Sequence, residues 1–172
     1  MRTLLRELSN DPGFPTTEFL MTQRLDHQAL APEGMRAVGG AYMYVVNKTE
    51  LPHGLVDLVY LRVSQINGCA FCIAMHSHDL MKAGVPAQRL MLLPAWREAG
   101  EIFSSRERAA LAWAESVTLV SQTGVPDADF EAASKEFSPK ELVDLTLAVG
   151  VINTYNRMAI SFRRAPEVAA AG

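Results

Sequence analysis

Cysteine is scarce in this chain, with two residues in 172. A disulfide-stapled secreted scaffold is therefore excluded. Long apolar runs are also missing: nothing approaches the ~18 consecutive residues that a membrane span needs. The N-terminal stretch Met1-Arg2-Thr3-Leu4-Leu5-Arg6-Glu7 has charges every few residues and no apolar signal core. The expected setting is the cytosol. No Lys/Arg block stands out and the net charge is −3, which argues against a nucleic-acid footprint. No strand-length alternation of apolar and polar residues is convincing, and no Gly-rich phosphate loop follows a strand. The expectations are therefore an all-α fold and no metal, flavin or nicotinamide site.

What remains is ordinary globular material, 49% hydrophobic and 20% charged, long enough for one domain with a full core. Residues 1–25 carry turn signals at Asn10-Asp11-Pro12-Gly13 and Phe14-Pro15 and read as an arm with at most one short helix. Helices are expected over about 32–48, 55–66, 69–83, 87–93, 105–122, 127–136 and 139–163. In the first, Met35, Val38, Tyr42 and Val45 share a face, and Gly39-Gly40 would permit close packing. In the second, Leu58, Leu61 and Ile66 form the apolar stripe. Asn67-Gly68 stops that helix. Gly84-Val85-Pro86 and Gly124-Val125-Pro126 are matching exits. Ser104-Ser105-Arg106-Glu107 and Ser138-Pro139-Lys140-Glu141 have capping-box spacing. Residues 166–172 form a small-residue tail.

The sequence also echoes itself. Leu55-Val56-Asp57-Leu58 recurs as Leu142-Val143-Asp144-Leu145, and Ile66-Asn67 as Ile152-Asn153. Chance similarity of two amphipathic helices gives the same pattern. Two related helical halves would put Tyr155 and Met158 in the places of Cys69 and Cys72.

Reactive side chains concentrate in Asn67-Gly68-Cys69-Ala70-Phe71-Cys72-Ile73-Ala74-Met75-His76. At ~100° per residue, Cys69, Cys72 and His76 fall within about 60° of one helix face. The two sulfurs can close a disulfide, and His76 is the i+4 neighbour of Cys72. A thiol of ordinary pKa, about 8.5, is only ~3% ionised at pH 7; lowering it by ~2 units makes most of it thiolate. A helix start, a second thiol and a histidine supply the means. Geometry leaves the attacking sulfur open. The helix N-terminus favours Cys69 and the histidine favours Cys72; we take the base one turn away as the more direct influence.

Blander readings stand beside this one. The pair would suit two inert core cysteines, or a zinc site using Cys69, Cys72, His76 and His78, although His78 lies far around the helix. His27, His53 and His78 read as surface residues. Met75, Met81 and Met91 read as core filler, and Trp96 and Trp113 as packing residues.

The stretch Leu58 to Cys72, continuing to Met75-His76, resembles the core of the AhpD-like alkylhydroperoxidases of the carboxymuconolactone decarboxylase superfamily. Ala95-Trp96-Arg97-Glu98, the run Arg106 to Glu115, Val151-Ile152-Asn153 and Asn156-Arg157 are similar to that family too. The resemblance covers roughly residues 30–165. It implies an all-helical fold assembled as homo-oligomers, trimers or hexamers. It implies reduction of a hydroperoxide substrate by a Cys pair that a thiol or dithiol reductant restores. Carried over, Cys72 is the peroxidatic thiolate, Cys69 the resolving thiol, His76 the relay histidine and Asp57 the upstream carboxylate. Asp57 stands where the family usually has glutamate and is one methylene shorter. Phe71 replaces a histidine between the cysteines, and Ala74 an acidic residue common in relatives. The alternatives implied are decarboxylase or lactone chemistry, which works without a Cys pair, and a non-catalytic redox sensor or assembly protein.

Overall fold

Helix starts and stops follow local chemistry in the computed structural model, which describes residues 22–166. Among these residues there are nine α-helices and no strand. They are α1 (His27–Leu30), α2 (Pro32–Lys48), α3 (His53–Asn67), α4 (Ala70–Lys82), α5 (Ala87–Leu92), α6 (Ser105–Thr118), α7 (Val120–Thr123), α8 (Asp127–Ser134) and α9 (Pro139–Ser161). Short 3-10 turns at Leu93–Ala95 and Gly100–Ile102 lie between α5 and α6. None of these helices is long and apolar enough to cross a membrane. Both capping boxes form: Ser104 and Ser138 each accept the N–H three residues on, while Glu107 and Glu141 reach back to the cap N–H.

α3 is the axis of the fold, packed by α4, α6 and α9. Its apolar surface is wider than the stripe read from sequence. Val56, Val59, Tyr60 and Val63 enter one core with Val45, Trp113, Leu145, Val149 and Ile152. Leu58 and Leu61 enter a second core with Leu80, Leu93, Trp96, Phe103 and Leu111. Ile66 is only half-buried. A helix apolar nearly all round belongs in the middle of a bundle, and α3 is there.

Several expectations fail for identifiable reasons. The helix from Ser105 breaks at Leu119, where Thr123 Oγ1 turns back to donate to the Ser116 carbonyl at 2.8 Å. The last helix ends at Ser161 because Arg163 adopts positive φ. On α2 only Val45 is buried. A Cβ added at Gly39 would stand 3.9 Å from the Tyr155 hydroxyl and one at Gly40 would meet nothing, so neither glycine is required for close packing. Met75, Met81 and Met91 are exposed and fill no core. His27, expected at the surface, is buried against Phe162 with ring centroids 5.5 Å apart. It opens α1, which Asp26 caps through the N–H groups of Gln28 and Ala29. Most of the N-terminal arm over 1–25, and the tail beyond 166, lie outside the described residues.

Gly68 is the hinge of the site. It sits in the left-handed region at φ 70° and turns the chain sharply from α3 into α4. The turn is anchored by amides. Asn67 donates to Asn153 Oδ1 at 3.0 Å and to Asn156 Oδ1 at 2.9 Å, and Asn156 donates to Ser64 Oγ at 3.0 Å. Of these, Asn67 and Asn153 are the echoed asparagines of α3 and α9, meeting across the helix pair.

Candidate active site

α4 starts at the thiols. Cys69 is its N-cap, and its sulfur accepts the Cys72 N–H at 3.3 Å. Cys69 and Cys72 are joined as a disulfide with Cα atoms 5.4 Å apart. Both are buried, at 1% and 2% exposure, in a small cluster with Ala159 of α9 and Phe71.

Beside them lies a cavity of about 310 Å³. α4 contributes Phe71, Cys72, Met75, His76 and Asp79, a set that recurs at helical spacing along one face. α3 contributes Asp57 and Tyr60, α9 contributes Ile152, Tyr155 and Ala159, and α2 contributes Tyr42. His27 and Gln28 of α1 and Arg164 after α9 complete the wall. Three of the four residues expected from sequence, Asp57, Cys72 and His76, thus share one cavity. Cys69 lies behind Cys72 and does not line it.

His76 is 4% exposed, and neither ring nitrogen has a hydrogen-bond partner within the protein. Its Nδ1 is 4.0 Å from Asp57 Oδ1, too long for a direct hydrogen bond. That separation makes an ion pair only if the imidazole is protonated. Burial opposes this strongly, pulling the His76 pKa down to about 4 against the weaker upward pull of Asp79. The neutral imidazole is thus the state at pH 7. Asp57 is pushed up, first by burial and then by Asp79, with His53 opposing. The shorter aspartate leaves a gap of the kind its missing methylene suggests.

Aromatic hydroxyls surround this pair, and sequence reading assigned them no role at the site. The Tyr60 ring meets His76 edge-on with centroids 5.2 Å apart, and its buried hydroxyl has no partner within the protein. Burial, then Tyr42, Asp57 and Tyr155, push its ionisation up, so it stays a phenol. Tyr42 lies 6.3 Å from Tyr155 and 6.4 Å from Tyr60. Tyr60 follows Asp57 by three residues and Asp79 follows His76 by three, a spacing that would have found both. Arg164 gives no local signal at all. His78 is exposed, and among the described residues no group of three or more His, Cys, Asp or Glu is arranged to hold a metal.

The pKa of His76 sets an acid sensitivity. Its ordinary value is 6.5 and its folded value about 4, so between them the unfolded state binds more protons. Stability is fullest above pH 6.5, falls as the pH drops towards 4, and then levels. The total is roughly 3 kcal/mol. His76→Gln should flatten that segment in urea titrations at stepped pH. An unchanged slope would mean that the imidazole does not titrate as a buried group.

The family model for the carboxymuconolactone decarboxylase family matches residues 32–116. The YdfG protein of Bacillus subtilis (strain 168) is 37% identical over 141 residues, which is 82% of this chain and 95% of YdfG. A solved Agrobacterium tumefaciens protein of unknown function, linked by name to the antioxidant-defence protein AhpD, is 38% identical. It superposes with a TM-score of 0.82 over 86% of this chain and 100% of its own. A peroxidase-related protein from Silicibacter sp. TM1040 shares the fold at 23% identity and a TM-score of 0.72, over 81% of this chain and 73% of that one. With a relative this similar matched along nearly its whole length, the chain belongs to the carboxymuconolactone decarboxylase family, among its AhpD-like members.

Proposed function

We propose that the protein is a thiol peroxidase that reduces hydroperoxides through a Cys69–Cys72 dithiol/disulfide cycle. The observation that carries this reading is the placement of Cys72, alone of the pair, on a cavity wall beside a buried neutral histidine. In the reduced protein, His76 takes the Cys72 proton. The thiolate attacks the outer peroxide oxygen, the O–O bond breaks, and His76 returns the proton to the departing alkoxide or hydroxide. Cys72 is then a sulfenic acid. Cys69 attacks its sulfur, the S–O bond breaks, and water leaves. Asp57 stands 4.0 Å from the imidazole, a carboxylate close to the imidazolium that this step forms. The reading includes a reducing compartment and a homo-oligomer, either a trimer or a hexamer.

Decarboxylase chemistry leaves the sulfur at the cavity wall without a task, and no feature of the site favours it. The test is mass spectrometry on the pre-reduced protein with one equivalent of an alkyl hydroperoxide. Loss of about two hydrogens is expected, through a sulfenic acid. Continuous peroxide consumption should follow once a small dithiol is supplied. An unchanged mass would return the cysteines to a structural role.

A further inference from the structure

After each peroxide the pair is a disulfide, and two electrons have to come from outside. Neither sulfur is at the surface, where the active site of a protein dithiol would have to touch it: Cys69 is 1% exposed and Cys72 2%. The cavity is the approach, and Cys72 is the sulfur it reaches. At ~30 Å³ for each water-sized group, the cavity takes a molecule of about ten non-hydrogen atoms.

The cavity is electrically lopsided. Phe71 and Asp79 are eight residues apart on α4, ~12 Å along its axis. Asp57 and Asp79 place carboxylates towards the His76 end. At the Phe71 end, the Arg164 guanidinium lies 3.8 Å from the ring centroid, and among the described residues no carboxylate pairs with it. The Arg164 N–H donates to the Ala159 carbonyl at 2.9 Å, and Ala159 belongs to the small buried cluster of the two cysteines. Arg164 is thereby fixed beside the pair. Stacking on Phe71 engages the face of the guanidinium and leaves its in-plane N–H groups for an anion.

We propose that the pair is re-reduced by a low-molecular-weight thiol that carries a carboxylate. Its carboxylate binds Arg164 and its sulfur attacks Cys72. The place of this step in a cycle rests on the peroxidase reading, but the exchange itself needs no peroxide. The incoming thiolate bonds Cys72 Sγ, the Cys69–Cys72 bond breaks, and the electron pair departs on Cys69. That sulfur accepts the Cys72 N–H at 3.3 Å at the start of α4, which suits it to leave as an anion. A second thiol attacks the outer sulfur of the mixed disulfide and releases Cys72. Two thiols are oxidised to their disulfide, the protein disulfide is reduced, and the two thiol protons end on the two cysteines.

The experiment uses oxidised full-length protein without peroxide. It compares 3-mercaptopropionate with 3-mercaptopropanol at matched thiolate concentration, with iodoacetamide quenching. The acid should reduce the wild type on the order of tenfold faster than the alcohol, the advantage expected of one charge-assisted contact. Arg164→Gln should erase that preference by bringing the acid's rate down to the alcohol's in the same variant, while Arg164→Lys keeps part of it, since the charge remains. Fragment masses should put the mixed disulfide on Cys72 and the alkyl group on Cys69. A preference that is absent, or that survives in Arg164→Gln, overturns the proposal. So does a mixed disulfide on Cys69, or faster reduction by a thioredoxin-type protein than by the small acid. Failure of the peroxidase reading looks different: exchange proceeds as described, but no peroxide is consumed.

Discussion

Cys72→Ser should cut peroxide turnover by about three orders of magnitude or more, as expected when a nucleophile is removed. Cys69→Ser should keep the first oxidation and lose only the closure that follows. The difference comes from position. Cys72 lines the cavity with His76 one turn further along α4, whereas Cys69 lies behind it and caps the helix. A serine hydroxyl does not ionise near neutral pH and is a far weaker nucleophile than a thiolate. Stopped-flow peroxide consumption separates the variants. In Cys69→Ser, a sulfenic-acid trapping reagent should label one site per chain. Equal turnover by the wild type and Cys72→Ser would sink the peroxidase reading outright.

Glu115→Ala is expected to destabilise the fold by about 3–5 kcal/mol, the range for stranding a buried charge. Glu115 is the junction of three segments. Its carboxylate accepts from Arg62 Nε of α3 at 2.7 Å, from Trp96 Nε1 at 2.8 Å, and from the Arg97 guanidinium. Burial would raise its pKa, but the bonds from Trp96, Arg97 and Arg62 together hold the carboxyl below the ordinary range. Arg97 is largely exposed and can rehydrate, so the main loss is at Arg62, whose side chain is 15% exposed. Such a loss is a large share of the ~5–15 kcal/mol that stabilises a domain. Urea denaturation measures it. Replacing both partners with leucine should restore much of the loss, because no charge is then left alone. A single variant within 1 kcal/mol of the wild type, a bound set by the worth of exposed pairs, would mean that water reaches Arg62 freely.

The same cluster shows what could be read from the chain. Trp96, Arg97 and Glu115 fall within the stretches that resemble the family, and their role here is to tie elements together. Helix ends were legible at Ser104, Ser138, Gly68 and Gly84 because capping is decided within four residues. The break at Leu119 was not, since the apolar pattern runs on and only a side-chain bond from Thr123 marks it. Met75 and Met91 misled because an apolar side chain need not be buried. His27 misled for the opposite reason: its cover is Phe162, at the far end of the chain. The candidate site was legible as far as Asp57, Cys69, Cys72 and His76, which lie within two adjoining helices. Tyr42, Tyr155 and Arg164 reach the cavity only through the packing of α2 and α9 against α3 and α4, and local spacing does not encode that.

The amide cluster of Asn67, Asn153 and Asn156 has a consequence for how the reactive turn moves. Reactive loops usually belong to the least protected part of a fold, opening many times before the core does. Here the Cys69 N–H is bonded to the Ser64 carbonyl at 3.0 Å, and Asn67, two residues before it, is held by α9. The turn is therefore expected to open together with α3 and α9, and its amides to exchange with deuterium no faster than theirs. On the proposed peroxidase reading, oxidation and reduction would then take place on a closed backbone, a reagent gaining the sulfurs by entering the cavity and not by waiting for the protein to unfold.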